Sequence, residues 1–106
     1  MDYRITKTGD NVHVALSGRL DFACNSVFER LLDEINCLRG QKVVFDLAHI
    51  MHMDSIGLGL LHVAQEDLAS ANSRLILSSP GPSVERLLDL TEASSRFDIL
   101  RQDSAS

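Results

Sequence analysis

The sequence predicts an α/β domain: a mixed β-sheet opened by an antiparallel N-terminal hairpin and continued by alternating strands and helices. Three observations carry this. Two short alternating runs flank Gly9-Asp10-Asn11, an apolar β-branched run stands at Val43-Val44-Phe45-Asp46-Leu47, and three stretches place apolar residues at helical spacing between strand-like segments.

Tyr3 to Thr8 and Val12 to Leu16 are the hairpin strands, with Val12, Val14 and Leu16 on one face. After Ser17-Gly18-Arg19-Leu20-Asp21, the residues Val27, Phe28, Leu31, Leu32, Ile35 and Leu38 form a helical stripe, opposed by Glu29, Arg30, Asp33 and Glu34, and Gly40 is its stop signal. Val43 to Leu47 reads as a central strand covered on both faces and parallel to a neighbour. A second helix starts near Asp54-Ser55, runs through Leu60, Leu61, Ala64, Leu68 and Ala71, and ends at Asn72. Arg74 to Leu77 is the next strand. The turn Ser78-Ser79-Pro80-Gly81-Pro82-Ser83 leads to a third helix marked by Val84, Leu87, Leu88 and Thr91, and Phe97 to Leu100 makes a last edge strand. The order is β-β-α-β-α-β-α-β, which right-handed crossovers assemble into one sheet. Residues 1–101 read as a single domain and 102–106 as a polar, flexible tail.

Composition narrows the function. Ten Lys plus Arg against 15 Asp plus Glu give the 106-residue chain a formal charge of -5, with no cationic excess to attract a phosphate backbone. Nucleic acid is not an expected partner. Hydrophobic residues make up 44% and charged residues 24%, ordinary for one core at a length where about two thirds of the extended chain's surface is buried on folding. The longest nearly apolar stretch, Ile56 to Ala64, is broken by His62 and falls far short of the roughly 18 residues of a membrane span, so no direct membrane insertion is expected. Met1 to Lys7 has no apolar signal core, so the cytoplasm is the expected location. Cys24 and Cys37, near opposite ends of one helix and so roughly 20 Å apart, lie beyond the about 7 Å reach of a disulfide and read as free, buried thiols.

The segment Asp46 to Leu61 carries the chemistry, as a strand, a loop and a helix start. Asp54 and Ser55 are both suited to cap that helix. Gly57 and Gly59 each cost about 1 kcal/mol relative to Ala inside a helix, so something is expected to approach the backbone there. Met53, Ile56 and Leu58 cannot all join the stripe of Leu60, Leu61, Ala64 and Leu68, which leaves apolar surface beside Ser55 for docking.

Met53-Asp54-Ser55-Ile56-Gly57-Leu58-Gly59 resembles the signature of STAS domains, the family named for sulphate transporters and anti-sigma factor antagonists. Ser17-Gly18-Arg19-Leu20-Asp21, the strand Val43 to Leu47, and Ser79-Pro80 followed by Val84 to Thr91 add to the resemblance in the family's order, over nearly the whole chain. The resemblance implies a bacterial partner-switching regulator of the anti-sigma factor antagonist type, one that acts in signal transduction and transcription regulation and is not an enzyme. In such proteins the Ser after the Asp is phosphorylated by a serine kinase that is itself the anti-sigma factor or a related switch protein, and a metal-dependent phosphatase reverses it. That position is Ser55. Ile56 stands where the family often has a second Ser or Thr, so Ser55 is the one hydroxyl of the motif. The partner-binding residues implied are Met53, Asp54, Ser55, Ile56, Gly57, Leu58 and Asp21.

Other chemistries fit less well. His49, His52 and His62, with Asp46 and Asp54, suggest a metal site, but a loop and a helix must bring them together, and neither a metal nor another cofactor is expected. His13 falls on the polar face of its strand. Asp54 adjoins Ser55 and is badly placed to orient an imidazole for a triad. No Gly-rich loop ends in Lys-Ser or Lys-Thr, so the chain reads as a substrate of ATP chemistry and not its agent. The competing reading is a cytoplasmic STAS accessory subunit of a membrane transporter; such subunits need no phosphorylatable Ser, so the Asp54-Ser55 pair counts against it.

Overall fold

A computed structural model describes residues 1–38 and 42–100; Gly40 and the tail 102–106 lie outside them. Among the described residues the elements are β1 (Asp2–Thr8), β2 (Asn11–Leu20), α1 (Asn25–Leu38), β3 (Lys42–Met53), α2 (Ser55–Ser70), β4 (Arg74–Ser78), α3 (Pro82–Leu90) and β5 (Asp98–Leu100). Short 3-10 turns, Phe22–Cys24 and Ala93–Ser95, precede α1 and β5. The strands form one sheet in the order β1-β2-β3-β4-β5, with β1 antiparallel to β2 and every later pair parallel.

This order explains where the helices lie. Each crossover advances the sheet by one strand in the same direction, so crossovers of one hand place every helix on the same face. Val12, Val14 and Leu16, Val43, Phe45 and Leu47, and Leu75 and Leu77 point to that face. There they join Phe28, Leu31, Leu61, Ala64, Val84 and Leu88 in a single core. Phe28 of α1 meets Phe45 of β3 edge to face, ring centroids 6.1 Å apart. The expected cover on both faces of Val43–Leu47 is therefore corrected: Val44 and Asp46 turn to the second face and are only half-buried. Ile76 is the buried residue of that face, beside the 2.8 Å ion pair of Arg74 and Asp98.

The largest departure from expectation is strand length. β2 runs to Leu20 and β3 to Met53, so Ser17–Leu20 and Ala48–Met53 are paired strand and not loop. The register passes from Ala15↔Asp46 to Ser17↔His49, then from Gly18↔Ile50 to Arg19↔His52, so β3 twice carries one residue more than β2. Such bulges break the two-residue alternation. Leu47, Ile50 and Met53 are accordingly buried at intervals of three, a spacing that hides a strand from pattern reading. Gly18, at φ +93, supplies a backbone conformation that side chains disfavour within this irregular stretch. Beyond Asp46, β3 outruns its pairing with β4, and its end projects with the end of β2 from one end of the sheet.

Both thiols are free. Cys24 is buried in the 3-10 turn ahead of α1, its Sγ donating to the Asp21 carbonyl at 2.9 Å, and burial pushes the thiol pKa up. Cys37 is exposed, contrary to expectation, because it falls off the Phe28, Leu31, Leu32 and Ile35 stripe of α1.

Candidate functional site

Leu20 pairs with Met53, so β2 and β3 end together and each hands over to a helical segment through an aspartate. Asp21 is extended and caps the turn Phe22–Cys24, its Oδ1 accepting from Ala23 N at 3.0 Å; Oδ2 accepts from Arg19 Nε at 3.3 Å. Asp54 is extended and caps α2, its Oδ1 accepting from Gly57 N at 2.9 Å. Of the two capping candidates, the structure uses Asp54. Ser55 is the first helical residue, exposed, and its hydroxyl makes no hydrogen bond to a described residue.

The two glycines divide. A Cβ on Gly57 would stand 1.9 Å from the Leu20 carbonyl oxygen and 2.7 Å from its carbon. What approaches this backbone is thus the protein's own β2, and the glycine permits the start of α2 to seat against it. A Cβ on Gly59 would meet nothing within 4 Å, and Gly59 faces solvent.

The seven residues expected to bind a partner separate in the same way. Met53 and Leu58 are 7% and 6% exposed and Gly57 is buried, so these belong to the seam with the core rather than to an outer surface. Asp21 and Asp54 are half-buried and occupied as caps. Ser55 and Ile56 face outward. The apolar surface near Ser55 therefore does not come from Leu58. On α2 it is Ile56 and, two turns on, Val63, with Gly59 between them on the same face. Phe22, 72% exposed, follows the cap Asp21 at the neighbouring strand end, and Met51, 81% exposed, lies two residues before Met53 on β3. Sequence reasoning missed both. Phe22 falls ahead of the α1 stripe, which was the available signal; Met51 was hidden in a segment read as loop.

The histidines do not converge. Among the described residues no three His, Cys, Asp or Glu side chains are placed to hold a metal. His49 and His52, expected in a loop, sit on β3 opposite Ser17 and Arg19 and are exposed. His62 stacks on Phe97 with ring centroids 4.7 Å apart, and His13 lies 4.0 Å from Asp46 on the second sheet face. No described helix is long and apolar enough to cross a membrane.

The site is thus an exposed hydroxyl at the first position of a helix whose capping is done by its neighbour, fringed by exposed apolar side chains. Free amide donors and the positive end of the helix dipole face any group attached there.

Comparison with known proteins gives the same architecture. The STAS domain family model matches residues 2–105. TM1081 of Thermotoga maritima superimposes with a TM-score of 0.84 at 23% identity, over 97% of this chain and 89% of that one. An anti-sigma factor antagonist from Mycobacterium paratuberculosis gives 0.83 at 19% identity, over 98% and 88%. The anti-sigma factor antagonist SpoIIAA gives 0.73 at 19% identity in its unphosphorylated form, over 98% and 92%. The phosphorylated form of SpoIIAA, from Bacillus, gives 0.69 at 18% identity, over 98% and 96%.

Proposed function

The chain belongs to the STAS domain family, and from that membership we propose that it is a partner-switching regulator of the anti-sigma factor antagonist type, gated by phosphorylation of Ser55. The unphosphorylated form binds a serine kinase of the anti-sigma type through Ser55, Ile56 and the exposed apolar residues around them. Phosphorylation releases that partner, and a metal-dependent serine phosphatase resets the switch. The protein itself acts by binding and not by catalysis, in the cytoplasm.

The observation that carries this reading is the division of labour between Asp54 and Ser55. Asp54 supplies the cap, so Ser55 can be modified without the helix losing its first-turn hydrogen bond. A phosphate there adds about -1.5 to -2 charges next to the free amides of a helix start, where an anion is favoured. The domain stays folded. A partner packed over Ser55 would have to bury that dianion beside Asp54, and an unpaired buried charge costs about 3–5 kcal/mol. Since about 1.4 kcal/mol is a factor of ten in affinity, this suffices to dissolve a micromolar complex with no change of shape. The occurrence of SpoIIAA, a protein of the same fold, in both phosphorylated and unphosphorylated forms supports the reading.

The test is recovery of partners from the source cell's lysate with the native chain, Ser55→Ala and Ser55→Asp. Native protein and Ser55→Ala are expected to retain a kinase-like partner and Ser55→Asp to lose it, with all three showing the same circular dichroism. Equal recovery by all three would overturn the proposal.

A further inference from the structure

We propose that the outer edge of β1 is a self-association surface, through which two copies join their sheets antiparallel across a two-fold axis at Ile5. Among the described residues β1 pairs with β2 alone, so its outer row of backbone N–H and C=O groups has no strand beside it. Ile5 is the midpoint of the strand Asp2–Thr8. An axis through it aligns the whole of β1 with its copy: Ile5 with Ile5, Tyr3 with Lys7, Arg4 with Thr6 and Asp2 with Thr8.

What covers this edge follows from charge. Between β1 and α1 runs a groove of about 490 Å³ lined by Ile5, Lys7, Asp33, Glu34, Cys37 and Leu38, basic on its strand side and acidic on its helix side. Lys7 Nζ donates to the Leu38 carbonyl at 2.8 Å, and Glu34 accepts from the Tyr3 hydroxyl. Neither charge forms an ion pair with a described residue of its own chain. In the register centred on Ile5, Lys7 of the second copy arrives beside Tyr3, and therefore beside Glu34; the two-fold repeats the contact. The same register lays Ile5 on Ile5 over the apolar part of the groove. Moving the axis by one residue to Arg4, a slide of two, sets Arg4 against Arg4, and moving it the other way to Thr6 sets Lys7 against Ile5; both shorten the overlap. A lysine on an edge strand ordinarily discourages pairing. Here it favours one register and one partner, a second copy of this chain. The association is isologous and closes at two. It leaves α2 and Ser55, which follow the third strand of the sheet, outside the seam, so it stands independently of the phosphorylation proposal.

Sedimentation equilibrium of the full chain, from micromolar to near-millimolar concentration, tests this. Wild type and Ser55→Ala are expected to show the same monomer–dimer equilibrium. Ile5→Glu, which opposes two carboxylates on the axis, is expected to weaken it by at least about tenfold. Lys7→Glu and Glu34→Lys should each weaken it, and the two together should restore it. Ile5→Cys in a Cys37→Ser background should cross-link on mild oxidation, because facing Cα atoms lie about 4.5–5.5 Å apart, within disulfide reach. Thr8→Cys in that background, facing Asp2, should not. This pair of cysteine variants decides the matter should Ile5→Glu fail to fold. A wild-type chain that stays monomeric throughout, a dimer indifferent to Ile5→Glu, a charge swap that does not rescue, or cross-linking as strong from Thr8→Cys would each overturn the proposal.

Discussion

The turn after β2 and the start of α2 lie side by side and are built from the same parts, an extended aspartate whose Oδ1 accepts an amide from the turn it opens. They differ in the residue that follows and in how they are held. After Asp21 comes Phe22, an exposed ring; after Asp54 comes Ser55, an exposed hydroxyl. Asp21 is secured by an exposed arginine and a short 3-10 turn. The start of α2 is secured by a helix of 16 residues and by the seating of Gly57 on the Leu20 carbonyl. The lesson is that the position just after a capping aspartate carries little structural duty. Such a position is open to whatever chemistry a surface needs, and it is most sharply placed where the cap is most rigidly seated.

Four substitutions probe that contrast. Gly57→Ala should have the largest effect: its methyl group overlaps a backbone carbonyl that no rotamer change can clear, so a loss of about 3 kcal/mol or more is expected in urea unfolding. An unchanged urea midpoint would mean that the turn after β2 and the start of α2 are held equally loosely. Next come the caps. Asp54→Ala should cost about 1–2 kcal/mol, whereas Asp21→Ala, serving a shorter turn and an exposed ion pair, should cost about 1 kcal/mol or less. A reversed ranking would break the comparison. Gly59→Ala should have the smallest effect and the opposite sign, since open space and a helical backbone allow a gain of about 0.5–1 kcal/mol. If a partner packs closely along Ile56, Gly59 and Val63, this more stable variant should nonetheless bind it less well, separating surface fit from fold in a single titration.

Much of this was legible in the residues. The hairpin, the three helical stripes and the order of elements along the chain follow from periodicity, and Val12, Val14 and Leu16 point inward as their alternation requires. What escaped was of two kinds. Where β3 carries extra residues against β2, burial at Leu47, Ile50 and Met53 follows neither the strand nor the helix period, and a paired strand reads as loop. The reason for Gly57 escaped because its neighbour, the Leu20 carbonyl, is distant in sequence and is a backbone atom, which no side-chain pattern records. The motif alone points to the candidate site. Which of Asp54 and Ser55 caps α2 is not legible there, since both side chains can accept the same amide and only the geometry distinguishes them.

The seating of Gly57 on Leu20 also has a genetic consequence. Every amino acid other than glycine brings at least one more carbon, so every missense change in that codon is opposed by the same carbonyl oxygen. The Gly59 codon faces no such obstacle within the fold, so only a partner docked over it would hold that position to glycine. Two glycines two positions apart thus answer to different demands, one set inside the chain and one set outside it.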